Sequence, residues 1–471
     1  MKRFIFARAI LYLIAIIIGI WLIAQSQIIT TLDQGDYGRA ISASLSGPAD
    51  GKEYRHWEKP TLDWSFKEPF RLSEINNTGS AYFLINAYVQ RIAHNSFSLP
   101  LLSTTSKLLL LIFLGILSKR IAEQIRWKLL GEISIWIALL CAFFMAHNIY
   151  ILNSFYQEHA FWLGLPLILC GLLDDKKMRS TGLIIFGAII SGGSKTQFFY
   201  LPMLIGLLCL TWDWWKTKTI NKPLLIGLIA VQALCTLPLL KNPYKALNFY
   251  HATYYGSYTL LDQRKLNDFN IPPGTIRCIG SDRWGVLLSG KKGDERGGVI
   301  RSCFDEVSLG TSDVLRPYFA EPTLIWRMWQ FAEPALWTAK PFHNIHEQPY
   351  IVTTAGMDQN GVPYPFPANN FSLNLSDERE VRFTHRVGQF SLLALGISLL
   401  LLYKRWLGNV ALAILFLVAL IWSQIFIALL GEGFRDLGKH FAAAQLSYDI
   451  LLIFIAVSVV GIFQKLLKIK I

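Results

Sequence analysis

Ten stretches of this 471-residue chain are apolar for long enough to enter or cross a lipid bilayer, and no water-soluble core absorbs that many. They cover residues 4–24, 99–117, 129–145, 160–173, 182–192, 198–210, 224–240, 387–403, 410–430 and 442–463. Composition agrees, with 53% hydrophobic residues, 15 Trp and 30 Phe. The expected fold class is an all-α polytopic membrane protein of about ten transmembrane helices. The first run follows Lys2, Arg3 and Arg8 and reaches Ala24 without a small-residue cleavage site, so it reads as an uncleaved span rather than a signal peptide.

The formal net charge of +13 could suggest nucleic acid, but the basic residues cluster in short connections between apolar runs. Lys119, Arg120, Arg126 and Lys128 form one such cluster, and Lys176, Lys177 and Arg179 another. Lys216, Lys218 and Lys222, then Lys404 and Arg405, then Lys465, Lys468 and Lys470 complete the series with the N-terminal group. All fall on one side of a ten-span chain, which the positive-inside rule makes the cytoplasm, with both termini inside. The charge is thus a topology signal, and the implied partner is the bilayer, not nucleic acid. Three parts are expected: an N-terminal transmembrane module over 1–240 whose first outer loop is 25–98, an extracytoplasmic region of mixed or irregular structure over 241–386, and C-terminal helices over 387–471.

The opposite, extracytoplasmic side receives the residues that look chemical. Leu32-Asp33-Gln34-Gly35-Asp36-Tyr37-Gly38-Arg39 follows the first span almost at once. Its two carboxylates, spaced i to i+3 in a glycine-shaped loop, can converge on a cavity, one as general base and the other orienting it or a cation. Glu158 and His159 open the fourth apolar run, where Glu158 can bind a sugar hydroxyl, a cation or His159. Ser191-Gly192-Gly193-Ser194-Lys195-Thr196-Gln197 breaks two apolar runs, and its amides, hydroxyls and ammonium suit an anionic phosphate. It lacks the Walker spacing, and a snorkelling lysine is the plain alternative.

The turn at residues 431–440 carries Glu432, Arg435, Asp436, Lys439 and His440 among three glycines. A connector between spans needs far less, and Arg435, Lys439 and His440 can all donate to phosphate. Residues 73–94 read as one or two amphipathic helices lying flat on the membrane. The run Pro363-Tyr364-Pro365-Phe366-Pro367 argues for irregular backbone. His343, His346 and Glu347 imitate a metal-ligand spacing, yet the flanking Pro341 and Pro349 make a loop the better reading. Cys278 and Cys303 share the long polar region and can form a disulfide if it lies outside the cytoplasm, whereas Cys141, Cys170, Cys209 and Cys235 fall in apolar segments as small hydrophobes.

With these motifs in view, the sequence resembles the GT-C superfamily of membrane glycosyltransferases, which includes protein O-mannosyltransferases and lipid A aminoarabinose transferases. The matching features are the acidic Asp33-Gln34-Gly35-Asp36 loop, the amphipathic stretch after it, Glu158 in the second outer loop, the late extracytoplasmic region, and Asp436-Leu437-Gly438-Lys439-His440 before the last span. The resemblance implies a multi-pass protein of the inner membrane whose active site faces the periplasm. It implies transfer of a sugar from a polyprenyl-phosphate donor to a hydroxyl of a glycan, lipid or pilin-like protein. Asp36 is then the leading base, with Asp33 second because either acid of such a pair can hold the role, and Glu158 is a further acidic member; the mannosyltransferases carry adjacent acids there, whereas Gln34-Gly35 separates these. Lys195, Gln197, Arg435, Lys439 and His440 would receive the donor phosphate, and Arg39, Tyr37 and His159 would contact acceptor or sugar. No cofactor is required, no metal ligand is assigned, and a divalent metal is compatible. Competing classes are a flippase for a lipid-linked glycan and a non-catalytic envelope-assembly protein. Alternating access would predict charges deep in several spans and internal repeats, which the sequence lacks.

Overall fold

The computed structural model describes residues 2–33, 36–51, 60–125, 129–240, 244–269, 271–283, 302–336, 352–357, 363–365, 386–404 and 406–467. For 2–9, 263, 302, 352–357 and 363–365 the description is of backbone alone. Gln34, Gly35, Arg126, Lys128, Arg405, Lys468, Lys470 and the histidine-bearing stretch 343–347 lie outside the described residues, as do Phe366 and Pro367.

Each of the ten apolar stretches coincides with a helix: Lys2–Gln25, Leu99–Gln124, Leu129–Phe144, His159–Leu173, Lys177–Gly192, Leu201–Thr217, Lys222–Leu240, Val387–Tyr403, Gly408–Glu432 and Ala442–Leu466. Among the described residues six helical segments are long and apolar enough to cross a membrane, and a seventh qualifies if Leu129–Phe144 and the helix after it, bent by 67°, are one span. His159–Leu173 and Val387–Tyr403 are shorter, at 15 and 17 residues, and Lys177–Gly192 has 16. The chain is a polytopic membrane protein, but length alone does not make ten separate crossings.

His159–Leu173 is the central post, because every one of its residues is buried. A helix apolar all round has no face to give to solvent and so collects neighbours on every side. Its closest partner is Lys177–Gly192, reached across a tight connection, and glycines set the approach. A Cβ on Gly164 would stand 2.9 Å from the Gly187 carbonyl oxygen, and one on Gly187 would stand 2.9 Å from the Ile168 amide nitrogen. Without side chains at these points the two backbones pack directly, as small residues allow in membrane bundles. The hairpin brings Glu158, just before one helix, beside Lys195, just after the other.

The first loop adds strands to the amphipathic helices expected there. Leu45–Pro48, Asp63–Phe66 and Phe97–Ser98 form an antiparallel sheet, with Leu45 opposite Phe66 and Trp64 opposite Phe97. One amphipathic helix is present, Thr78–Arg91, begun by the Asn77 side chain accepting the Ser80 amide. Its apolar residues divide: Phe83, Leu84 and Ala87 are buried against the protein, while Ile85, Tyr88 and Val89 are exposed. A second antiparallel sheet orders Ile29–Thr30, Val352–Met357 and Pro363–Pro365, which returns the late region onto the first loop. Residues 363–365 of the proline run, expected to be irregular, thus form a strand, and they stand last in the sheet order, at an edge where proline is tolerated. Cys278 and Cys303 are disulfide-bonded, with Cα atoms 6.3 Å apart.

The two ends of the bundle differ in kind. At one end the basic connections meet: Arg120 lies 3.6 Å from Asp174, Gln124 donates to the Leu173 carbonyl, and Asn409 donates to Asp175 at 2.8 Å. Lys177 and Lys216 line one pocket with Asn221 and Asn409 there. The acidic loop, the hairpin tip and the turn before the last helix meet at the opposite end. On a background with Cys141, Cys170, Cys209 and Cys235 replaced by alanine, Thr219→Cys and Lys245→Cys should therefore label from opposite faces of sealed vesicles. Labelling of both from one face would contradict this arrangement.

Candidate functional site

Asp33 builds the acidic loop. Its Oδ1 accepts the backbone amides of Asp36 at 3.0 Å and Tyr37 at 3.1 Å, which turns the chain into the short helix Tyr37–Ile41. Tyr37 is buried, donates through its hydroxyl to the Thr31 carbonyl, and packs edge-on against Phe155 and Tyr156. The turn aims Asp36 inward, where it is 9% exposed.

Three cations converge on Asp36. Lys439 Nζ donates to Oδ2 at 2.6 Å, Lys195 Nζ stands 3.9 Å from the same oxygen, and Arg39 Nη1 stands 3.4 Å from Oδ1. Lys195 is shared, since its Nζ also donates to Glu158 Oε1 at 2.7 Å. Glu158 is 1% exposed. Arg39 is held from above by the ring of Tyr244, whose centre is 3.6 Å from the guanidinium carbon.

The turn between the last two helices supplies the other half. Gly433 has φ +60°, and a Cβ there would come within 2.9 Å of Gly256 Cα, so only glycine lets this turn lie against the aromatic helical stretch that holds His251 and Gly256. The turn presents Lys439, which also lies 3.8 Å from Asp436 and 5.4 Å from the centre of the Tyr156 ring. Arg435 pairs with Asp282 and lies 3.4 Å from Asp436. His440 joins both halves, with Nε2 2.8 Å from Glu432 Oε2 and Nδ1 3.1 Å from Gln197 Oε1.

Asp36, Glu158, Asp282, Glu432 and Asp436 thus face Arg39, Lys195, Arg435 and Lys439, five carboxylates to four permanent cations, and a protonated His440 would even the count. Such balance is what makes so many charges tolerable out of water. Burial alone would raise the Asp36 carboxyl, but Lys439, then Lys195 and Arg39, hold it far below the usual carboxylate range. Burial opposes the charge of Lys439, and Asp36 and Asp436 reverse that, raising its ammonium above the ordinary value. Asp436 is likewise lowered against burial, by Arg435 and Lys439.

Of the residues expected from sequence, Asp36, Arg39, Glu158, Lys195, Gln197, Arg435, Lys439 and His440 come together in this network, and Asp33 and Tyr37 support it from behind. His159 is placed elsewhere: its Nε2 lies 2.8 Å from Ser106 Oγ, and its ring packs on Tyr82 and Phe83. It follows Glu158 directly, but as the first helical residue it points into the core. Glu432 and Asp436 were visible as charges in the same turn. Tyr244 and Asp282 carried no signal, because only folding of the outer region brings them here. Among the described residues no three His, Cys, Asp or Glu side chains are grouped to hold a metal ion.

A family model described as the YfdI N-terminal transmembrane domain matches residues 1–344. Uncharacterized protein YfdI of Escherichia coli (strain K12) is 27% identical over 330 residues, which is 67% of this chain and 66% of that protein, just under two thirds of its length. No solved structure matches the chain. The matched span includes Asp33, Asp36, Arg39, Glu158 and Lys195, and it ends before the turn that carries Lys439.

Burial, then the charge of Arg435, pushes the His251 imidazole down to about 3, against the opposing pull of Glu432 and Asp436. Its Nε2 accepts the Arg283 amide at 3.3 Å, which needs the neutral ring. A histidine held neutral in the fold takes up a proton on unfolding near its ordinary value of 6.5, so its stabilisation is complete above that pH and is lost as pH falls toward about 3. The loss should be about 1.4 kcal/mol per pH unit within that window. Thermal unfolding in detergent between about pH 7.5 and about pH 5 should show a shallower decline for His251→Gln than for the unmodified protein. Equal slopes would mean that His251 is not buried in its neutral form.

Proposed function

The chain belongs to the YfdI N-terminal transmembrane domain family, and on that premise we propose that it is an inverting membrane glycosyltransferase of GT-C type. It moves a sugar from a polyprenyl-phosphate donor to a hydroxyl of an envelope glycan, lipid or surface protein at the extracytoplasmic face of the inner membrane. The observation that carries the reading is the convergence on Asp36 of Lys195 and Lys439, the latter 403 residues away in sequence. A carboxylate ringed by buried ammonium groups at one end of a membrane bundle suits a reaction that pairs a base with an anionic leaving group.

Asp36 held by three cations is a weak base, and the donor supplies the remedy. When the donor's phosphate enters, Lys439 and Lys195 turn toward it, and Asp36 loses the charges that suppress its basicity. The acceptor hydroxyl then gives its proton to Asp36 while its oxygen attacks the anomeric carbon. The bond from that carbon to the phosphate oxygen breaks, the configuration inverts, and polyprenyl phosphate leaves with its added charge on the two lysines. Arg39, which pairs with Asp36 and carries the Tyr244 ring on its guanidinium, would contact the acceptor or sugar.

In membranes supplied with a radiolabelled polyprenyl-phosphate sugar, Asp36→Asn should keep donor binding and lower turnover 100-fold or more, on the order of a lost general base. Lys439→Gln should weaken donor binding and turnover together, since an ammonium meets the phosphate in ground and transition states alike. A folded Asp36→Asn protein with turnover within a few-fold of the original would remove Asp36 from the role of base. Movement of label across the membrane without transfer would favour a flippase instead.

A further inference from the structure

The basic end of the bundle, opposite the ion network, holds a cavity of its own. It has a volume of about 230 Å³ and lies between the starts of Lys177–Gly192, Lys222–Leu240 and Gly408–Glu432 and the end of Leu201–Thr217. Its floor is apolar and buried, made by Leu172, Ile184, Cys209, Leu224 and Leu412. Its rim carries both signs of charge, in Asp175, Lys177, Asp213 and Lys216. Other polar groups of the lining are engaged within the fold. Asp174 pairs with Arg179 and accepts the Lys176 amide at 2.8 Å, and Ser180 donates to the Gly171 carbonyl at 2.7 Å. Thr217 bonds the Thr219 hydroxyl at 2.7 Å, and Asn221 donates to Thr181 Oγ1 at 2.9 Å. Lys177, Asp213 and Lys216 differ, because among the described residues none of the three has an oppositely charged group within 4 Å. Asp175 has a neutral donor, Asn409 at 2.8 Å. One wall of the cavity is Trp212, which stacks on Trp215, and Trp215 and Trp214 are 47% and 56% exposed. Exposed tryptophans at the end of a membrane helix mark the level where hydrocarbon gives way to headgroups.

We propose that this cavity is a binding site for the headgroup of phosphatidylethanolamine from the adjoining leaflet, with the phosphate on Lys177 and Lys216 and the ammonium on Asp213 and Asp175. Two lysines alone at this level would select an anionic lipid. Two carboxylates alone would select a cation. Both signs on one rim, unpaired with each other, fit a group that carries a phosphate diester and an ammonium on a short arm, since each end then meets its complement in a charge-assisted hydrogen bond. A phosphatidylglycerol headgroup would leave the carboxylates facing an anion. Phosphatidylcholine would leave them without a donor, because its quaternary nitrogen bears no hydrogen. The Trp212–Trp215 stack carries the cavity edge out to the lipid-facing surface, where the glycerol and the first carbons of the chains would lie. This site is separate from the glycosyl-transfer reading and does not depend on it.

The test is native mass spectrometry of the full-length, delipidated protein titrated with phosphatidylethanolamine, phosphatidylglycerol or phosphatidylcholine. Phosphatidylethanolamine should give the tightest adduct. Lys177→Gln together with Lys216→Gln should raise its Kd about tenfold, the effect of losing charge-assisted contacts to the phosphate. Lys404→Gln together with Lys465→Gln, two exposed lysines of the same end, should leave it unchanged. Asp213→Asn should turn the preference toward phosphatidylglycerol, whereas a merely structural aspartate would weaken both lipids alike. Lys177 and Lys216 are exposed and Asp213 is partly exposed, so these variants should fold, and an unchanged unfolding temperature would confirm it. Free phosphoethanolamine at the lipid's own Kd should not displace the adduct. Displacement at that concentration would make the ligand a soluble zwitterion and overturn the lipid assignment. Equal or tighter binding of phosphatidylglycerol by the unmodified protein, or a double lysine variant that binds phosphatidylethanolamine as before, would overturn the site itself.

Discussion

The bond from Lys439 to Asp36 joins the last helix-to-helix turn to the first loop, and the geometry of that end of the bundle depends on it. Neither group can be buried alone, because an unpaired charge taken from water costs several kcal/mol, and removal of one partner from such a pair costs about 3–5 kcal/mol. The pair therefore acts as a register: the first loop, the central hairpin and the last turn must all dock before any one of their charges is satisfied. Lys195 extends the same logic, since it stands between Asp36 and Glu158 and reports on both.

The scaffold reaches that geometry through close backbone approach. Gly164 and Gly187 let the central hairpin pack tightly, which places Glu158 and Lys195 side by side, and Gly433 lets the last turn settle against Gly256. The outer region contributes through a covalent anchor. Asp282, the partner of Arg435, follows Cys278 by one short turn, and the Cys278–Cys303 disulfide fixes that stretch. Loop closure of this length restricts the unfolded chain by about 3.5 kcal/mol in the chain-entropy account. An element far from the bundle in sequence thus steadies a cation in the site.

A network that is internally matched has a chemical consequence. Its lysines are not idle donors waiting for an anion but partners already engaged, so under the proposed reaction a donor phosphate would be bound at the expense of existing ion pairs. That exchange would moderate affinity, and the carboxylates it released would gain basicity. Arg39 differs from the lysines because Tyr244 stacks on it and restrains it, which suits a residue that stays in position.

The membrane character, the positions of the helices and most of the charged residues of the site were legible in sequence, since hydrophobic length and the segregation of basic clusters are local properties. Asp36, Glu158, Lys195 and Lys439, which fold into one cluster, stand out in sequence because each is a charge beside an apolar run, where charge is costly. His159 folds apart from this cluster, because adjacency to Glu158 says nothing about which way a helix's first residue points. The two small sheets were missed, as strands of two to six residues have too few alternations to register, and their pairing joins residues 29–30 to 352–353 across most of the chain. Which cation meets which carboxylate, and the part taken by Tyr244 and Asp282, were decided by tertiary structure alone. Ion pairing depends on distances of a few ångströms between segments hundreds of residues apart, and only the packed backbone sets those distances.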